Sequence, residues 1–558
     1  MGLKTRILSA FVFFTFLPLL GAAPMLRLVS STVGPIAVAT GGSAPPQTVE
    51  AYNNGNGSLS LTASVPASVT WLTASVGTSR TCQSTTNAGT CIPLNFALNT
   101  SSLAAGTYTG IVTVTADSTT IDAPQTITVT VRVGNEDVYV APGSAADLHI
   151  TTNHAVTTST TTQDGNRWLS LSLEGTGSFR FVYPYRIHVQ PTADMAEGTY
   201  TGSVTTSGSP TSTENVTIPV TMHLTTQPIA QAVPSSINLR LAVGAPPLVY
   251  PFDPIVSLVN AGQGTLTPGT VTLAGGSWIK PDTLVPAFTS IDPTGLAVGD
   301  NQGSITIASN AINSPTKVPV DLQIVDKGAP LIYFQGVLDN GTFVPGDTVS
   351  PGDIMIVKGE QLSFNAFTSG QAPPLANSVG GATITVNGNP APLFYSSYGQ
   401  LAFQMPVDTA LGTASVQVQR DNLSSNIVSV NVGNVAPRII AVVNQDGSVN
   451  LPDGSHPAHA GDFLTIYCIG LGATSPAVAT GAPAPSAEPL ARVTDTATVS
   501  FGTGIAGIQV TPIFAGLTPT AAGLYQVNAQ VPDGYTGTVY MSLTFPDAVS
   551  NPVPIVIQ

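Results

Sequence analysis

The sequence predicts an all-β chain built from tandem β-sandwich domains, and three observations lead there. A Trp–aliphatic pair followed by a glycine-containing, alternating strand occurs three times. The spacing between copies, 97 residues from Trp71 to Trp168 and 110 from Trp168 to Trp278, is the size of one sandwich domain. A second and different repeat fills the remainder, and neither repeat contains a convincing amphipathic helical stretch.

The first copy is Trp71-Leu72 followed by Gly106-Thr107-Tyr108-Thr109-Gly110-Ile111-Val112. The second is Trp168-Leu169 with Gly198-Thr199-Tyr200-Thr201-Gly202-Ser203-Val204. The third is Trp278-Ile279 with Gly299-Asp300-Asn301-Gln302-Gly303-Ser304-Ile305. Each copy closes with an alternating strand. In the first, Ile127, Val129, Val131 and Val133 share one face, the period of a half-buried strand. Thr128, Pro219 and Pro319 take the same outward place in the three closing strands. Proline donates no ladder hydrogen bond, so these strands are expected at sheet edges. Asn53-Asn54-Gly55-Asn56-Gly57 in the first copy parallels Asn260-Ala261-Gly262-Gln263-Gly264 in the third. Both read as turns whose glycines supply positive φ. The second copy lacks this turn and is divergent.

After residue 327 Trp disappears and the second repeat begins. Pro351-Gly352-Asp353-Ile354 matches Ala460-Gly461-Asp462-Phe463. Gln400 to Pro406 matches Gln526 to Pro532, and Ser425-Asn426 matches Ser550-Asn551. The expected organisation is a signal peptide at 1–23 and immunoglobulin-like sandwiches at 24–134, 135–226 (divergent) and 227–327. A tandem pair follows at 328–435 and 436–558. Laid end to end on short linkers, five such domains make an elongated rod.

Composition narrows the setting. Only 8% of the 558 residues are charged, against about 25% in an average soluble protein. The net charge is −14. Nucleic acid is excluded as a partner, because its binding needs clustered Lys and Arg. Beyond residue 24 no apolar run approaches the roughly 20 residues of a spanning helix. The N-terminus has the form of a secretory signal, with Lys4 and Arg6, an apolar stretch from Ile7 to Leu20, and small residues Gly21-Ala22-Ala23. A secreted or cell-surface location follows, without membrane insertion once the signal is removed. In that oxidising setting Cys82 and Cys91, with eight residues between them, read as a local disulfide. Cys468 lies in an apolar strand and reads as a buried small hydrophobe.

The chain contains no Gly-x-Ser-x-Gly elbow, His-Glu-x-x-His or phosphate loop. His456 and His459 share a loop but no third ligand can be named, so no metal site is expected. Asn444-Gln445-Asp446-Gly447-Ser448 looks superficially like a calcium loop. It lacks the late carboxylate and the flanking helices, so it reads as a hairpin turn. No carboxylate pair suggests a glycosidase, and no catalytic residue or cofactor is expected.

Two resemblances bear on the fold. The C-terminal stretch carries Asn444-Gln445-Asp446-Gly447-Ser448, Gly470-Leu471-Gly472, Phe514-Ala515-Gly516-Leu517 and Gly523-Leu524-Tyr525-Gln526-Val527-Asn528. It resembles an uncharacterised C-terminal domain family of large secreted proteins from soil acidobacteria, and that likeness extends back to about residue 328. The first three copies, through Trp-Leu and Gly-Thr-Tyr-Thr-Gly, resemble bacterial immunoglobulin-like modules of the BACON type, named for a suspected link to carbohydrate. The expectation is a non-enzymatic structural or adhesive protein with an extracellular protein or polysaccharide partner. The alternative is an array of carbohydrate-binding modules, with Trp71, Trp168 and Trp278 as candidate ligand-binding platforms. The burial of the three indoles separates the two.

Overall fold

The computed structural model describes residues 23–558 except 39–40, 67–68, 84–88, 104–105, 118–119, 135, 153, 175–182, 211–213, 249–254, 282–288 and 503–506. The signal segment read at 1–23 thus lies outside the described residues but for its last position. Among the described residues the regular elements are β-strands, arranged as tandem β-sandwiches. Among the described residues five main hydrophobic cores succeed one another, drawn from residues 26–133, 138–222, 232–324 with Tyr398, 332–432 and 435–557, and a small further cluster joins Leu338, Ile356 and Ala402. Among the described residues no helix is long and apolar enough to cross a membrane.

The first three domains share one plan. In the first, a sheet ordered Leu26–Leu28, Gln47–Asn53, Thr90–Leu98, Leu72–Val76 faces a sheet ordered Thr32–Val38, Gln125–Val133, Gly106–Thr115, Thr62–Ser64. The alternation read from sequence is seen directly. Ile127, Val129, Val131 and Val133 are all buried between the sheets.

The edge placement of the closing strands is overturned. Gln125–Val133, Thr217–Leu224 and Thr316–Val325 each lie between two partners. One is the antiparallel glycine-bearing strand. The other is the opening strand of the same sheet, Thr32–Val38, Glu136–Val140 or Ile237–Ala242, which runs parallel. The prolines survive because of register. The parallel ladder starts at Glu136↔Val220 and at Ile237↔Val320, one residue beyond Pro219 and Pro319. In the first domain it starts at Thr32↔Thr128, and the Thr128 N–H donates to the Ser31 carbonyl at 2.9 Å. Proline at that position could not make this bond.

The Asn–Gly turns are also more specific than positive φ. Gly57 and Gly264 do have φ of +80° and +69°. Gly55 and Gly262 do not. They are crowded instead, since a Cβ would stand 2.3 Å from the Ala23 carbonyl oxygen and 2.4 Å from that of Gln227. The Asn side chains stitch this crossing. Asn53 Oδ1 accepts from the Met25 and Gly55 N–H groups, and Asn260 Oδ1 accepts from those of Ile229 and Gly262.

The fourth and fifth domains repeat a second plan. Leu331–Asp339, Ile354–Glu360, Gln400–Gln404 and Leu393–Ser396 are neighbours in one. Arg438–Val443, Phe463–Ile469, Tyr525–Gln530 and Phe514–Leu517 are neighbours in the other. The opening strand of each breaks register, after Ile332 and after Ile439. The repeated Asn holds it there. Asn426 bonds both the N–H and the carbonyl of Ile332, at 2.8 and 2.9 Å, and Asn551 does the same for Ile439 at 2.8 and 3.1 Å.

The domains are not strung in one straight line, and the expected rod is corrected. Asp122 of the first domain, buried and at φ 60°, reaches the start of the outer edge of Val428–Val432 in the fourth, whose far end pairs with Val349. Its N–H donates to the Ile427 carbonyl at 3.2 Å, and its Oδ1 accepts from the Ser429 N–H at 3.5 Å. Arg27, ion-paired with Asp122, lies 5.5 Å from the centre of the Phe334 ring. An exposed strand edge offers unpaired N–H and carbonyl groups, and here the first domain satisfies some of them.

Candidate functional site

The three Trp are core residues. Trp71, Trp168 and Trp278 are 7%, 1% and 5% exposed, so none offers a face to a sugar ring. The reading of these residues as ligand platforms is corrected on this ground. Their surroundings explain the motif. Each Trp carbonyl accepts a backbone bond from Asn99, Gln190 or Asp292. Each ring lies over the glycine of the following strand. A Cβ on Gly110, Gly202 or Gly303 would approach indole carbons to 3.3, 3.2 and 3.0 Å. Trp168 and Trp278 satisfy their indole N–H on Asp164 Oδ1 at 3.2 Å and the Gly275 carbonyl at 2.7 Å, as buried indoles require.

Cys82 and Cys91 form a disulfide. Beside it the buried Glu50 carboxylate pairs with Arg80 at 3.0 Å and accepts from the Gln83 N–H. Cys468 is fully buried, and burial pushes its thiol far above the ordinary range. Asp446-Gly447 forms a turn in which the Asn444 N–H donates to the Ser448 carbonyl at 2.8 Å, with Gly447 at φ 87°. Among the described residues no group of three or more His, Cys, Asp or Glu is placed to hold a metal ion.

A different place has the character of a binding site. Between the third and fourth domains lies a cleft of about 280 Å³. One wall is the strand Ile237–Ala242, whose alternation turns Asn238 and Arg240 the same way, together with Pro246 and Pro247. The other wall comes from the fourth domain. Lys358 and Gln400 are direct cross-strand partners there, and Tyr333, Asn365 and Phe367 frame them. Tyr333 and Phe367 are 42% and 47% exposed. Phe367 leans on Tyr395 with ring centres 5.4 Å apart.

The cleft is held by buried contacts across the joint. The Tyr398 side chain leaves the fourth domain to join the core of the third, where its hydroxyl oxygen accepts from the Ala242 N–H at 2.7 Å. Arg240 donates to Glu360 at 2.6 Å, and the Tyr333 hydroxyl reaches the same carboxylate at 3.4 Å. Burial lifts the Glu360 carboxyl above the usual carboxylate range, and the neighbouring Arg240 guanidinium works against that shift. Arg420 ties the connecting segment, donating to the carbonyls of Gln361 at 2.9 Å and Gly328 at 2.5 Å. A rigid, partly apolar wall with a few placed polar groups is the usual make-up of a ligand site.

Sequence reading did not find these residues, because they come from two different domains and from segments far apart in the chain. The one available signal was the run of aromatics Tyr333, Phe334, Phe343, Phe364 and Phe367 just after the Trp repeat ends.

No family model matches the chain, and no curated protein does. Among solved structures, the extracellular cadherin domains 1–4 of protocadherin gamma B7 are similar at 9% identity and a TM-score of 0.15, covering 67% of this chain and 92% of that one. The human desmocollin-1 ectodomain is similar at 11% identity and a TM-score of 0.16, covering 73% and 79%. An endo-fucoidan hydrolase of glycoside hydrolase family 107 aligns at 16% identity and a TM-score of 0.13, covering 52% and 43%. Likeness at this level carries nothing about ligand or activity.

Proposed function

We propose that this chain is an extracellular, non-enzymatic scaffold of binding and adhesive character, carried to the cell surface or released from it. The observation that supports this most is the joint between the third and fourth domains. Two sandwiches are locked by a shared core residue, Tyr398, and a buried ion pair, Arg240–Glu360, around a preformed cleft. Its lining offers rings, amides and cations, while the Glu360 carboxylate beside it is engaged by Arg240 and Tyr333. Such a site suits holding a ligand rather than transforming it.

The second joint has the same character. Arg438, in the opening strand of the fifth domain, lies 3.1 Å from Asp347 and 3.6 Å from Asp339 of the fourth. The Gly481 N–H donates to Gln404 Oε1 at 2.6 Å, and the Leu375 N–H donates to the Gly481 carbonyl at 2.8 Å. Fixed joints hold domains at set distances and angles, which serves display and load bearing.

The test is retention under flow. Beads carrying the full chain are passed over surfaces coated with extracellular matrix protein, with polysaccharide, or with the same chain. Retention on at least one surface is expected. Beads that detach from all three as readily as uncoated beads would refute the reading.

A further inference from the structure

From the cleft between the third and fourth domains we infer a binding site for a short segment of an acidic oligosaccharide. The inference rests on the binding-scaffold reading and names its ligand. Three features define the ligand class. The first is aromatic. Tyr333 and Phe367 expose nearly half of their surface beside the cleft, and exposed rings stack on the apolar C–H faces of pyranose rings. The second is amide chemistry. Asn238 on one wall and Asn365 on the other line the cleft, and neither side chain makes a hydrogen bond among the described residues. Their donors and acceptors are therefore available to hydroxyl groups.

The third feature is charge. The chain carries 16 Lys and Arg against 30 Asp and Glu, yet the charged groups lining the cleft are Arg240 and Lys358. Arg240 is neutralised by Glu360 at 2.6 Å. Lys358 is exposed and has no carboxylate partner among the described residues; its ammonium lies 5.9 Å from the centre of the Phe343 ring. One uncompensated cation in an otherwise neutral lining complements one carboxylate or sulfate on the ligand. The volume lies just below the roughly 300–1,000 Å³ typical of ligand pockets, which limits the occupant to a ring or two of a longer chain.

Isothermal calorimetry on the full chain tests this with a uronate tetrasaccharide, a sulfated tetrasaccharide and neutral cellotetraose. Saturable binding of at least one acidic ligand is expected, about tenfold tighter than that of the neutral one. Lys358→Gln should remove most of that preference, and Phe367→Ala should weaken acidic and neutral ligands alike. Both substitutions sit at exposed positions, and unchanged circular dichroism would show that the fold is kept. The inference is overturned if no acidic ligand saturates, if the neutral ligand binds as tightly as the acidic ones, or if both variants bind like the parent. Beads retained on protein or on the same chain, without tetrasaccharide binding, would leave the scaffold reading standing and sink this ligand. Tetrasaccharide binding without retention would do the reverse.

Discussion

The indole of Trp278 lies so close over Gly303 that a Cβ on that glycine would stand 3.0 Å from ring carbon Cζ2. The same contact joins Trp168 to Gly202 and Trp71 to Gly110. The two halves of the repeat, separate in sequence, are thus one packing unit: a large ring and the only residue that leaves room for it.

Replacing that glycine by alanine should destabilise its own domain by about 1–3 kcal/mol, the usual penalty of overpacking. The three sites should differ. At Gly202 and Gly303 the new methyl also meets backbone carbonyls, Thr161 and Ala274, each at 2.7 Å. At Gly110 the contacts closer than 3.3 Å are side-chain methyls of Leu72 and Val69, which can turn aside. Denaturant unfolding followed by indole fluorescence, with one Trp retained per variant, should rank Gly110→Ala as the mildest.

Reduction of Cys82–Cys91 should lower the stability of the first domain alone. For so short a loop the chain-entropy model gives about 2–3 kcal/mol. Unfolding of a protein retaining only Trp71, with and without reductant, should show the shift. A variant retaining only Trp278 should show none.

Asp353 makes the joint of the fourth and fifth domains sensitive to pH. It is fully buried, and neither carboxyl oxygen makes a hydrogen bond with normal geometry. Burial first, and then the buried Asp339 carboxylate, pushes its pKa up to about 8, while Arg438 opposes the shift. The folded state therefore holds a proton that the unfolded chain releases near pH 4. The resulting stability is complete below about pH 4 and is lost as pH rises towards 8. Asp353→Asn should flatten this slope and, near pH 8, leave the pair more stable than the parent by a few kcal/mol. A steeper decline in the variant would contradict the assignment. The repeat partner Asp462 is only half-buried and accepts from the His459 N–H at 2.9 Å.

Asn426→Ala and Asn551→Ala should each remove two bonds to the backbone of an opening strand. Leaving buried groups unsatisfied costs about 1–3 kcal/mol apiece. Hydrogen exchange should quicken at Ile332 in the first variant and at Ile439 in the second. Equal protection in variant and parent would mean that the Asn clamp carries no stability.

Periodicity and spacing determined the strand content, the inward face of Gln125–Val133 and the pairing of Trp with glycine in each repeat. These are local matters, set by alternation along one strand and by the volume of one ring. Residue type also marked Asn53, Asn260, Asn426 and Asn551, although only the fold showed that each ties two crossing segments of backbone. Other features depended on contacts between residues far apart in the chain, which no local pattern records. A parallel partner made the proline-bearing strands central rather than edge strands, and Asp122 brought the first domain onto the fourth. The exposed aromatics and Lys358 acquired a common cleft only when Tyr398 crossed into the third domain's core. That core, closed around Trp278 and completed from the next domain, decides where the candidate site lies.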